Sequence, residues 1–222
     1  MKRLALLLVF TTASLLSASD KMLDAIEQSN QRVVALVVHK NNKKVHGTGL
    51  IFTSQGLVIT NYHVIASGQT LSGTLSNGKQ VTLSLVQTSK KRDLAVLQIN
   101  EKLELPKDEI KFAAKLRLGE EVFAIGNPLG LGHTVTVGRI SGLQREIPGL
   151  DETKLKNIVQ HSADLNPGNS GGPLFNAVGE LVGLNVAMHE GGRGISFAVC
   201  ADDVHYVMSK SKENKAVALA SH

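Results

Sequence analysis

A chain of 222 residues with 42% apolar and 19% charged content can bury one sizeable core, or two small ones sharing a cleft. Its single cysteine, Cys200, excludes an internal disulfide and, closing an apolar run, reads as a buried thiol. A net charge of +5 spread thinly over the chain, with only 4% aromatics, argues against a basic nucleic-acid surface with stacking platforms.

From the N-terminus, Lys2 and Arg3 form a charged start, residues 4–16 are mostly apolar, and Ser17-Ala18-Ser19 supplies small residues before Asp20. This pattern predicts a signal peptide over 1–19, and a run broken by Thr11, Thr12 and Ser14 is too short for a membrane anchor. The mature chain is therefore expected in a periplasm or the medium, without stable membrane association. Met22, Leu23, Ala25 and Ile26 recur at helical spacing and predict a short helix packed on the body. From Val33 the pattern changes to short apolar strands between turns such as Ser67-Gly68 and Asn77-Gly78. Strands are predicted at 33–39, 50–53, 57–60, 81–87, 94–99, 121–125, 134–141, 158–162, 173–175, 181–185 and 195–199, a cadence that fits all-β barrels. A charged stretch, 101–115, has no strand signal and joins two halves, with a boundary near 112/113. Val204, Val207 and Met208 predict a closing helix at about 202–213, with a frayed tail after it.

The chemistry concentrates in residues 166–174, Asn-Pro-Gly-Asn-Ser-Gly-Gly-Pro-Leu. Glycines on both sides of Ser170 free the backbone to turn its amide groups toward one point beside the hydroxyl, as an oxyanion site requires. Such a turn is also ordinary surface-loop composition, so the serine needs partners before it means anything. A serine hydroxyl is a weak nucleophile until a base takes its proton and a third group orients that base. His63 follows the apolar run 57–60, and Asp93 heads another at 94–99. The three lie far apart in sequence, and only a fold can bring them together.

These segments, in the order His, Asp, Ser, resemble the chymotrypsin-like serine proteases, and within them the HtrA/Deg group. The similarity runs from about residue 33 to 199, through Gly47-Thr48-Gly49, Ala124-Ile125-Gly126-Asn127-Pro128 and Gly179-Glu180-Leu181-Val182-Gly183. The resemblance implies two six-stranded β-barrels, at about 33–112 and 113–200, with the active site in the cleft between them. It also implies His63 as general base, Asp93 as its orienting carboxylate and Ser170 as nucleophile. The backbone N–H groups of Gly168 and Ser170 would form the oxyanion hole, with Asn169 shaping the turn. By the same resemblance, Asp164, six residues before Ser170, sits at the base of the primary specificity pocket with Met188, Gly194 and Ile195 around it. An unpaired carboxylate there favours Arg or Lys in the substrate, unless it caps a turn or Arg193 folds in to neutralise it.

Two loops, 144–156 and 188–194, flank that pocket by resemblance. The residues after Val199 are too few for the PDZ domain that HtrA proteins commonly carry, and the aromatic-free segment 20–32 lacks the usual trimer contacts, so a monomer is expected. None of the eight histidines forms a His-Glu-x-x-His pattern, and no metal or cofactor is expected. The predicted function is an exported serine endopeptidase acting on loosely folded proteins and peptides. Two alternatives stand beside it: a chaperone or binding module of the same family, and an esterase, whose Gly-x-Ser-x-Gly elbow is absent.

Overall fold

The computed structural model describes residues 20–40, 43–66, 68, 70–127, 132–149, 153–188 and 194–220. The expected leader, 1–19, lies outside them, as do residues 189–193 of the 188–194 loop, including Arg193. Six strands form the first closed barrel: β1 (Val33–Lys40), β2 (Lys43–Ile51), β3 (Leu57–Thr60), β4 (Thr70–Leu75), β5 (Gln80–Ser89) and β6 (Leu94–Ile99), in the order β1-β2-β3-β6-β5-β4. Six more form the second: β7 (Glu121–Gly126), β8 (Thr134–Pro148), β9 (Lys154–His161), β10 (Pro173–Asn176), β11 (Leu181–Met188) and β12 (Ser196–Cys200), in the order β10-β11-β12-β9-β8-β7. All neighbouring strands are antiparallel, and this is the chymotrypsin-like architecture.

Period-two alternation explains why two barrels form and why they stay together. Along β3 and β6, Val58, Ala95, Leu97 and Ile99 point into the first barrel with Val34, Leu36, Val38 and Ile51. Their neighbours Leu57, Ile59, Leu94 and Val96 point outward and are buried all the same. They meet Phe123, Ile125, Phe175 and Leu184 of the second barrel, whose own interior holds Val122, Ala124, Leu174 and Ala198. Strands apolar on both faces thus serve an inner core and a shared seam. Phe123 and Phe175, on the paired strands β7 and β10, pack together on the second barrel's side of it with ring centroids 5.5 Å apart.

A helix over residues 20–30 (α1) buries Ala25 beneath Met22 and Ile26 and leaves Leu23 exposed. After β3 comes a single turn, α2 (Tyr62–Ile65), and the chain closes with α3 (Ala201–Ala220), whose Val204, Val207 and Met208 are buried in the seam. Helix α3 runs further than the expected 202–213, since residues 214–220 are mostly good helix formers, three alanines, a leucine and a lysine, with no glycine or proline to stop it. Other differences are physical too. The missed strand β4, Thr-Leu-Ser-Gly-Thr-Leu, looks like a turn, yet a Cβ at Gly73 would overlap Val34, so the glycine is there for close packing. Much of the expected loop 144–156 is instead hairpin: Ile147 pairs with Leu155, which is buried, and Gln144 and Asn157, both near φ +55, absorb the register shifts. Residues 101–115 carry only an isolated bridge, Phe112 to Leu181. No helix among the described residues is long and apolar enough to cross a membrane.

Candidate active site

Asp93 caps a single 3-10 turn (Lys90–Arg92) in the left-handed conformation, φ 52, which Asp tolerates better than most residues. Its buried carboxylate faces α2. There Oδ1 accepts the His63 backbone N–H at 2.8 Å and Oδ2 lies 2.6 Å from His63 Nδ1. The Asp93 carbonyl accepts from Tyr62 N–H and from Asn61 Nδ2, each at 3.0 Å. With a carboxylate on one side, the neutral ring carries its proton on Nδ1, and Nε2 is left as the acceptor.

The serine turn comes from the second barrel and is clamped from both sides. Thr48 of β2 donates its N–H to the Ser170 carbonyl at 2.9 Å and its hydroxyl to the Gly168 carbonyl at 2.7 Å. The same hydroxyl accepts from Asn127 N–H at 3.0 Å, and Thr60 Oγ1 holds the Thr48 carbonyl at 2.6 Å. On the far side, Asn185 of β11 accepts Gly171 N–H at 2.8 Å and directs Nδ2 to the carbonyls of Gly172 and Pro173. Gly171 has no alternative: at φ +82 a Cβ would overlap Thr60 Oγ1 and the Thr48 carbonyl. That contact also carries the turn to the Thr60–Asn61 entrance of α2, so the structure brings the histidine segment and Ser170 together. Gly168 is at φ +105, and among the described residues neither its N–H nor that of Ser170 donates to a protein acceptor. Ser170 Oγ donates to the Val186 carbonyl at 3.0 Å; no hydrogen bond joins it to His63.

Thr48, Thr60 and Asn185 were missed by sequence reasoning, because a threonine between glycines and an asparagine in a strand look like packing residues. Thr48→Val keeps the shape and leaves Gly168 O and Asn127 N–H without partners, which should cost about 1–3 kcal/mol in urea unfolding. An unchanged midpoint would remove Thr48 from this role.

His161 of β9 is fully buried, and burial pushes its imidazole down to about 4, partly offset by the Asn185 side chain and the Phe197 backbone. It is neutral at pH 7. The unfolded chain binds this proton from about pH 6.5 downward, so stability is complete above that value and is lost as pH falls toward 4, by roughly 3 kcal/mol in all. His161→Leu should flatten that acid loss in unfolding curves taken between pH ~7 and ~4.5. An identical loss in both proteins would assign it to other groups.

The expected pocket residues are only partly brought together. Met188 ends β11 opposite Ser196, next to half-buried Ile195 and Gly194 (φ +74). Asp164 is exposed. A solvated Asp164 carries no burial cost for a cation to relieve. No cluster of metal-ligating side chains occurs among the described residues.

Paired antiparallel barrels, with a His–Asp pair on one and a glycine-bound serine turn on the other, define a protein of the chymotrypsin-like class. Residues 47–184 match the model for the trypsin-like peptidase domain, and the chain belongs to that family. It is 39% identical over 167 residues to Protease Do-like 1, chloroplastic, of Arabidopsis thaliana, covering 71% of this chain and 37% of that protein. It is 41% identical over 157 residues to the periplasmic pH-dependent serine endoprotease DegQ of Escherichia coli K12, covering 69% of this chain and 34% of that protein. The serine endoprotease of Yersinia pestis superposes with TM-score 0.75 at 34% identity, over 86% of this chain and 66% of that one. The chain thus spans about a third to a half of the length of the curated relatives it matches.

Proposed function

We propose that this protein is an exported serine endopeptidase that cleaves loosely folded polypeptides through an acyl-enzyme on Ser170. The observation that carries the reading is the two-point grip of Asp93 on His63, 2.8 Å to the backbone N–H and 2.6 Å to Nδ1, beside a serine turn with two undonated amides. In this reading the Ser170 hydroxyl leaves the Val186 carbonyl by rotation about its Cα–Cβ bond and gives its proton to His63 Nε2 as Oγ attacks the peptide carbonyl. The oxyanion is held by Gly168 and Ser170 N–H. His63 then protonates the leaving amine, and water, deprotonated by His63, releases the acyl group. Asp93 keeps the imidazolium oriented throughout. The leader 1–19 directs export and is removed before Asp20, which N-terminal sequencing of the processed form tests.

Incubation with reduced, unfolded casein tests the reaction class. New N-termini should form at a rate that a chelator leaves unchanged and that falls on acidification, because only neutral imidazole accepts the serine proton. Abolition by a chelator, or a rate that peaks in acid, would contradict the triad.

Specificity follows from Asp164. As a solvated charge beside the pocket it contributes the few tenths to 1 kcal/mol of an exposed ion pair, so cleavage after Arg or Lys should exceed cleavage after Leu by only about two- to fivefold. Matched peptides measure this ratio, which should reach unity in Asp164→Ala; a preference of a hundredfold would require an enclosed carboxylate.

A further inference from the structure

The residue before Asp93 ties the carboxylate to a part of the molecule that the reaction never touches. Arg92 Nε donates to Asp203 Oδ1 of α3 at 2.6 Å, and its guanidinium lies 4.3 Å from the centre of the Tyr206 ring. Asp203 and Tyr206 are three residues apart and share one face of the helix. Asp203 is also engaged from the second barrel, because Asn157 Nδ2 donates to its Oδ2 at 3.3 Å. The pair is only 30% and 20% exposed, and Asp203 lies in the first turn of α3, where the helix dipole favours a negative charge. Arg92 is thus held by a charge, an aromatic face and, through Asp203, by β9 of the opposite barrel.

What this grip controls is the conformation one residue on. Asp93 is held at φ 52, which a non-glycine residue occupies at a cost, and its N–H closes the 3-10 turn onto the Lys90 carbonyl at 3.1 Å. The side facing α2 is held separately, by Tyr62 N–H, Asn61 Nδ2 and Lys90 lying 5.4 Å over the Tyr62 ring. The Arg92 contacts tie the turn to α3 and, through Asp203, to β9 of the barrel that carries Ser170, a strand the turn also approaches directly.

The geometry points to Arg92, Asp203 and Tyr206 as positioning residues: α3 acts as a strut that holds Asp93 in its left-handed turn and so fixes His63 across the cleft from Ser170. The inference rests on the reading of Asp93 and His63 given above. It extends that reading to the C-terminal helix, which becomes part of the catalytic apparatus without touching substrate.

Loosening the strut moves the carboxylate by a fraction of an ångström to an ångström, and misplacement of that size costs about tenfold to a hundredfold in turnover. Arg92→Ala and Asp203→Asn, each assayed on unfolded casein, should lose about tenfold or more in kcat with KM within about twofold. The double variant should be no worse than either single one, since both cut the same link. Asp203→Glu, which restores the charge, should recover most of the rate. A second readout needs no turnover. The proton shared by His63 Nδ1 and Asp93 should give a far-downfield NMR line in the native chain, weakened or lost in Arg92→Ala and Asp203→Asn while the rest of the spectrum stays folded. Unchanged kcat together with an unchanged downfield line would overturn the strut, as would a rate loss that merely follows the fraction unfolded. A native chain that shows the line and cleaves nothing would overturn the proposed function and leave the strut to be judged on the line alone.

Discussion

Ser170→Ala is expected to lower kcat on unfolded casein about a millionfold, and His63→Ala to do nearly the same. The equality follows from the mechanism. Without His63, the serine keeps its proton and the hydroxyl attacks no better than a neighbouring threonine would. Without Ser170, the histidine can only activate water, which the turn does not hold in line. The double variant should therefore be no slower than either single one, and additive losses would show that the two groups act independently. Ser170→Ala should keep its native unfolding free energy within about 1 kcal/mol, because the serine hydroxyl makes one hydrogen bond, to the Val186 carbonyl. A large loss of stability in Ser170→Ala would mean that the Val186 contact is structural.

Asp93→Asn is the second large effect, at about ten-thousandfold in kcat. The carboxylate accepts twice, from His63 N–H and from Nδ1–H. An amide has one accepting oxygen and one NH2 group that can only donate. If its oxygen keeps the backbone N–H, its NH2 faces Nδ1 and forces the ring proton onto Nε2, where it blocks proton transfer from Ser170. The backbone contact survives, so the fold is retained and KM should change little. A loss below about tenfold would show that the histidine tautomer is set by something else.

The parts of this site visible in the sequence are those with local signals. Ser170 is flanked by glycines whose positive φ and close contacts leave no room for a Cβ, and His63 and Asp93 each adjoin a short apolar strand. Their meeting was legible only through the resemblance, since no local pattern encodes a cleft between barrels. The residues that hold the serine turn were not legible: Thr48 makes two hydrogen bonds to it and Asn185 four, yet neither a threonine nor an asparagine in a strand carries a local signal of that role. The strand β4 was hidden because its glycine packs rather than turns. The outer part of the hairpin, 142–148 with 154–157, was hidden because its exposed alternation is polar and two left-handed residues interrupt it. The exposure of Asp164 was not legible for a related reason: spacing along a chain does not say whether water reaches a side chain.

The central claim is that Ser170 is an activated nucleophile, and a fluorophosphonate probe tests it without knowing the natural substrate. Treated with the probe and weighed intact, the native chain should gain one adduct, mapped to Ser170 by peptide digestion, and His63→Ala should gain essentially none over the same time. Absence of any adduct on the folded native chain, or an adduct on another residue, would contradict the account.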